Sequence, residues 1–317
     1  MPTTPPSPVL VTEHLRKCYG SHVALDDLNL TVHRGEVFGY IGPNGAGKTT
    51  TFRILSGLLS PTSGKTLIAG QDVTENPDLI KRKVGFLPDN FGVYPTLRVW
   101  EYLEFFAAAY KIPRKQRAGR VDFCLQIAKS MEFKDKLMGA LSRGMKQRVG
   151  IAKTLLHDPE VLILDEPAAT LDPRARVYMR DLLRDLANLQ KGILVSSHIL
   201  PELAEVCDTI GILSGGKMIA CGKVAEILRQ TRQSRIVEIH VLQGGDRARE
   251  ILAAAPGQWR QIDPTDGNSL QLRYEVLADE QQLAKALFLL MQGGLQVVNF
   301  AEIPADLEDA FMNLTQR

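Results

Sequence analysis

Between Gly42 and Thr49 the chain reads GPNGAGKT, and Thr50 follows. The run fits the pattern G-x-x-x-x-G-K-[ST], which constrains both fold and chemistry. Gly42, Gly45 and Gly47 carry no Cβ, so the backbone there can take unusual dihedrals and approach an anion closely. Successive amide N–H groups then point into one concavity suited to phosphate oxygens. Glu36–Ile41 ahead of the run reads as a buried strand. Behind it, Phe52, Leu55, Leu58 and Leu59 repeat at helical spacing, which predicts a helix over 50–59. The helix start near Lys48 adds the positive end of its dipole. Lys48 supplies a mobile cation for the outer phosphates, and the Thr49 hydroxyl suits a Mg²⁺ ion beside them.

A phosphate loop needs a second strand that ends in acids. Val161–Leu164 is a short continuous apolar run, as expected of a parallel strand buried on both faces. It runs into Asp165 and Glu166. Asp165 stands where a carboxylate can hold a metal's coordination shell, and Glu166 where a general base can polarise water. Upstream, Leu141-Ser-Arg-Gly-Met-Lys-Gln-Arg148 opens onto a helical repeat of Val149, Ala152, Leu155 and Leu156. A small-residue loop at a helix start is a second anion site. Two phosphate-receptive loops on a chain with one nucleotide are explained if the second closes on a nucleotide held by another copy.

GPNGAGKTT, LSRGMKQR, VLILDEP and SSH, in this order and spacing, resemble the Walker A, signature, Walker B and switch motifs of ATP-binding cassette (ABC) ATPases. The resemblance covers roughly residues 9 to 228. It implies an α/β phosphate-loop NTPase core with a mixed sheet, and a helical subdomain at about 91–140 inside a nucleotide-binding domain of residues 1–228. It also implies ATP and Mg²⁺ as cofactors. Gly42, Pro43, Asn44, Gly45, Ala46, Gly47, Lys48, Thr49 and Thr50 would hold the phosphates, and Tyr19 would stack on adenine. Glu166 and His198 would be catalytic. Thr49, Asp165 and Asn90 would serve the metal, with Asn90 standing where the family commonly has Gln. Ser142, Arg143, Gly144 and Asp172 would reach the nucleotide of a facing copy. Two positions depart from the family's usual residues: Arg143, often Gly, and Ala168-Ala-Thr170, often Thr-Ser-Gly.

The remainder bounds the surroundings. The chain has 317 residues, 44% hydrophobic and 23% charged, so ordinary globular material in about two domains is expected. No apolar run approaches the roughly 20 residues that span a bilayer. The Pro-rich start MPTTPPSPVL lacks the features of a signal peptide. A net charge of +2 does not argue for nucleic acid. The four cysteines form no metal spacing and read as reduced thiols. Residues 226–235 read as a polar linker, and Arg114–Arg120 as a basic turn. Residues 229–317 predict a small α+β accessory domain of β-α-β-β-α-β, ferredoxin-like order, followed by a helix over 305–315.

That tail resembles the type-2 export ATPases of the same family. The implied partners are integral membrane permease subunits and a second copy or paired ATPase subunit, at the cytoplasmic face of the membrane. The alternative is an ABC ATPase not tied to transport. Ribosome-associated members usually carry two cassettes, and chromosome and repair members insert a long coiled coil before the signature; this chain does neither.

Overall fold

The computed structural model describes residues 7–169, 171–197, 203–231, 235–262 and 270–303. The chain divides into two compact units, residues 1–224 and 225–317.

The first unit is built on two sheets. An antiparallel sheet has the order β2-β1-β4-β5, from β1 (Pro8–Tyr19), β2 (His22–His33), β4 (Ser63–Ile68) and β5 (Gln71–Asp72). A six-stranded mixed sheet has the order β10-β9-β3-β8-β7-β6. Its members are β3 (Val37–Ile41), β6 (Val84–Leu87), β7 (Val161–Leu164), β8 (Gly192–Ser197), β9 (Thr209–Ser214) and β10 (Lys217–Lys223). All its pairings are parallel except β9 with β10. Every residue of β3, β7 and β8 is buried, which is why β3 and β7 are continuous runs without exposed polar alternation, and β8 buries even its two serines. The register pairs Leu87 with Leu164 and Leu164 with Val195, so these strands end level at one edge. Segments leaving that edge meet in the crevice where open α/β sheets bind ligands.

Helix α1 (Lys48–Leu55) follows β3 directly. It is shorter than the apolar spacing predicts. Gly57 turns the chain with a left-handed φ of 70°, and Leu58 is left exposed. After α2 (Pro77–Lys83) and β6, three helices form a separate layer: α3 (Val99–Ala109), α4 (Arg114–Ile127) and α5 (Arg143–Leu155). Val99, Tyr102, Leu103 and Ala107 form the buried stripe of α3, with Phe106 half-buried beside them. The basic segment expected to be a turn is instead the first half of α4. Its arginines earn helical positions by bonding carbonyls, as Arg120 does to Leu155 and Leu156. Helix α6 (Pro173–Asn188) then joins β7 to β8.

Of the segment read as a linker, residues 226–231 belong to helix α7 (Val224–Thr231), residues 232–234 lie outside the described residues, and Arg235 opens the next strand. In the second unit, β11 (Arg235–Val241), α8 (Gly245–Ala253), β12 (Gln258–Gln261), β13 (Gln271–Leu277), α9 (Glu280–Gln292) and β14 (Val297–Ile303) follow in the expected order. Their sheet is antiparallel with order β12-β13-β11-β14, the ferredoxin-like arrangement. Val237, Ile239, Leu272, Tyr274 and Val276 face a core shared with Ala248, Leu252, Leu283, Ala286 and Leu290 of the helices. Alternation along β13 puts its polar residues on the other face. The helix expected over 305–315 lies outside the described residues.

Candidate functional site

The loop after β3 owes its shape to its glycines. Gly45 and Gly47 have φ of 83° and 111°, values that L side chains rarely adopt. A Cβ on Gly47 would also lie 2.7 Å from a Leu25 methyl and 2.8 Å from the Ala24 carbonyl oxygen. The loop closes by Ala46 N–H donating to the Pro43 carbonyl at 3.1 Å, and α1 begins at Lys48.

Lys48 is 7% exposed. Its ammonium donates to the carbonyl oxygens of Gly42 and Pro43 and lies 3.9 Å from Glu166 Oε1. Burial pulls its pKa below the usual lysine value, while the neighbouring Glu166 and Asp165 carboxylates oppose that shift. Thr49 Oγ1 donates to Asp165 Oδ2 at 3.5 Å. Ser196, near the end of β8, organises both acids. Its hydroxyl donates to Asp165 Oδ1 at 2.6 Å and accepts the Glu166 backbone N–H at 2.9 Å. Burial pushes the Asp165 carboxyl above its ordinary value; the Ser196 bond works against this, and Glu166 and Asp89 add to it. Glu166 has a φ of 51°, an uncommon conformation for a non-glycine residue. That turn directly follows the strand and lets Asp165 and Glu166 address one region.

Lys48, Thr49, Asp165 and Glu166 line a cavity of about 640 Å³. It also takes in Tyr19, Pro43, Asn44, Gly45, Gly47 and Thr50. Tyr19 is 47% exposed at the end of β1, with the Lys17 ammonium over its ring, 5.2 Å from the centroid. Gly42 and Ala46 support the loop from behind and are not among the lining residues: a Cβ on Gly42 would lie 2.7 Å from the Leu213 carbonyl oxygen.

Several expected residues lie elsewhere. Asn90 is exposed and outside the lining; its amide donates to Asp89 Oδ2 at 3.1 Å. Asp89 lines the cavity instead. Sequence reasoning passed over Asp89, although it lies two residues beyond β6, whose end is level with that of β7. His22 and Ala24 also line the cavity without a motif to mark them. Ser142 and Gly144 are outside it. Ser142 Oγ caps α5 by accepting the Met145 N–H at 3.3 Å. Gly144 packs against α6 and the loop before it, where an added Cβ would meet Leu171 at 3.4 Å and Ala175 at 3.6 Å. Asp172 caps α6 by accepting the Ala175 N–H at 2.9 Å. Of this group only Arg143 reaches the cavity rim. His198 lies outside the described residues.

Comparison with known proteins agrees with this geometry. Residues 25–169 match the family described as ABC transporter. The Nod factor export ATP-binding protein I of Cupriavidus metallidurans is 32% identical over 309 residues, 98% of each chain. The bacitracin transport ATP-binding protein of Bacillus licheniformis is 42% identical over 214 residues, 67% of this chain and 69% of that one. Among solved structures, a Clostridium perfringens protein that is part of an ABC transporter complex aligns with a TM-score of 0.64 at 30% identity, covering 71% of this chain and 94% of that chain. A glycine loop, a buried lysine and a paired Asp-Glu converge on one cavity, and full-length similarity extends to export proteins: the chain belongs to the ATP-binding subunits of the ABC transporter family.

Proposed function

We propose that the chain is the ATP-hydrolysing, energy-coupling subunit of an exporter whose transmembrane path is made by separate permease subunits. Among the described residues no helix is long and apolar enough to cross a membrane. The similarity to proteins named for Nod factor export and bacitracin transport supports the export assignment. On this reading residues 1–228 form the nucleotide-binding domain and 229–317 an accessory domain, at the cytoplasmic face of the membrane.

The chemistry follows from the cavity. Tyr19 offers a stacking face to adenine, and the amides of 43–50 with Lys48 take the phosphates. Residues present fit a Mg²⁺ ion: Thr49 and Asp165 oxygens lie side by side, and no group of three or more His, Cys, Asp or Glu among the described residues forms a metal site by itself. Mg²⁺ is commonly bound by one or two protein oxygens with phosphate and water completing its shell. When bound it would neutralise phosphate charge. Glu166, held by Ser196 through its backbone, accepts the proton of the attacking water, and His198 would contact the terminal phosphate. Asn90 would serve through the loop it shares with Asp89.

The observation that carries the reading is a division of labour within one chain. Lys48, Thr49, Asp165 and Glu166 meet in the cavity, while Ser142, Gly144 and Asp172 lie together on a surface beside it. That surface completes the site of a facing copy in a head-to-tail pair, and ATP-driven closure and reopening then moves the permease. Mixing two inactive variants tests it. Lys48→Ala and Ser142→Arg in one heterodimer leave one site doubly damaged and one intact, so the mixture regains part of the lost turnover. If heterodimers form and no activity returns, and Asn44→Cys fails to cross-link to Ser142→Cys between chains in an ATP-dependent way, the composite site is refuted. Co-purification with an integral membrane protein tests the transport role against an ABC ATPase that acts alone.

A further inference from the structure

Arg143 is the first residue of α5, and a cation there faces the positive end of the helix dipole. It is held by an anion from another part of the unit. Its guanidinium lies 3.3 Å from Asp89 Oδ1, and the two side chains are 51% and 41% exposed. Asp89 belongs to the loop after β6 and lines the nucleotide cavity, where its charge is felt by Asp165. One carboxylate therefore faces two ways, toward the helical layer and toward the acids of the site.

The same loop is anchored to α5 a second time. The Phe91 ring lies against Gly150, where an added Cβ would be 2.7 Å away, and the Lys153 ammonium is 5.2 Å from the ring centroid. Phe91 thus ties the loop to the helix by packing, and the Arg143–Asp89 pair can open without releasing it. An exposed ion pair shifts an equilibrium by about fivefold or less, weak enough to be exchanged for a better anion. A planar guanidinium favours phosphate oxygens, which it can grip with two parallel bonds.

We propose that Arg143 exchanges partners during the ATPase cycle: in the separate chain it is held by Asp89 of the same chain, and on closure it moves to a phosphate of the nucleotide bound by the facing copy. Asp89 is then released toward its own nucleotide cavity. The exchange makes Arg143 a residue that restrains closure in one state and favours it in the other. This rests on the head-to-tail reading above.

The test is an ATP titration of dimer formation, followed by light scattering, on the full chain carrying Glu166→Gln to arrest hydrolysis. Asp89→Asn frees Arg143 and lowers the half-saturating ATP concentration by about two- to fivefold. Arg143→Ala removes the phosphate contact and raises it by about tenfold or more. Arg143→Lys, a charge without the fork, recovers part of that loss. The decisive comparison is Asp89→Asn in the Arg143→Ala background, where it has no effect because nothing remains to be freed. An equal shift with and without Arg143 means that Asp89 acts on the nucleotide by its charge alone and overturns the exchange. So does closure of Arg143→Ala at the ATP concentration of its parent. If the Glu166→Gln chain forms no ATP-dependent dimer at all, the head-to-tail reading itself fails and takes the exchange with it. Near-ultraviolet circular dichroism confirms the fold of each variant.

Discussion

Replacing Glu166 by Gln removes a base and leaves nearly everything else in place. The side chains are isosteric, and the backbone N–H of this residue keeps its bond to Ser196 Oγ at 2.9 Å. The uncommon φ of 51° is no harder for Gln than for Glu. Two electrostatic consequences oppose one another. Lys48 loses a carboxylate 3.9 Å away but keeps Asp165, while Asp165 loses a like-charged neighbour that pushes its pKa up. Stability is therefore expected to change little, with the melting temperature within a few degrees of the parent. The proton acceptor, by contrast, has no substitute in the amide. Loss of a general base costs about 10²–10⁴-fold in rate, or roughly 3–5 kcal/mol of barrier. Phosphate release under saturating ATP measures the turnover, and calorimetric titration measures ATP affinity, which stays within a few-fold of the parent because Lys48, Thr49 and the loop amides are intact. Light scattering then shows a dimer that accumulates with ATP. Turnover within tenfold of the parent, with ATP affinity intact, would refute the role given to Glu166.

Lys48→Ala differs in kind: it weakens ATP binding by about tenfold or more, since charge-assisted contacts are worth roughly 1.5–3 kcal/mol, and calorimetry separates it from Glu166→Gln. Gly47→Ala combines a forbidden dihedral with contacts of 2.7 and 2.8 Å, so it destabilises the first unit by roughly 2–4 kcal/mol and abolishes nucleotide binding. A stable variant that binds ATP normally would contradict that account of the loop. Acid sensitivity has a nameable source in the strand-entry acids. Asp158 is held below its usual pKa by a hydrogen bond from Lys191, and Glu160 by Lys83 and Arg34, which outweigh the opposing effect of burial. Lowered folded-state values mean that their stabilisation is present above the unfolded carboxylate pKa of about 4 and is lost as the pH falls through the folded values. The double variant Asp158→Asn/Glu160→Gln thus shows a shallower fall in melting temperature on acidification, and a slope equal to the parent's would remove these two residues from the explanation.

Local chemistry was legible wherever neighbouring residues in sequence are neighbours in space. The glycine loop is one such case: Gly45 and Gly47 need positive φ because of the turn they make, and Lys48 follows because the helix starts there. Strands β3 and β7 announced themselves as buried apolar runs because both faces are covered. The β-α-β-β-α-β order of the second unit was readable from alternation and helical spacing, shown by the buried faces of β13 and α9. The extent of α1 was not readable, because Leu58 and Leu59 continue the spacing past a glycine turn.

Tertiary structure alone decided which groups share the site. Ser196 lies about thirty residues from Asp165 and Glu166, and it reaches both only because β8 lies beside β7 in parallel register. Asp89 and Asn90 are adjacent polar residues with no periodic cue to rank them; the path of the chain beyond Leu87 turns the first into the cavity and the second to solvent. Arg143 reads as a phosphate contact from its motif, yet its ion pair with Asp89 depends on how α5 packs against the loop after β6. Dihedral preference and side-chain periodicity are properties of a few consecutive residues, so a sequence carries them openly. The meeting of carboxylate, hydroxyl and cation from different strands is set by register and packing, which arise only when the whole sheet forms.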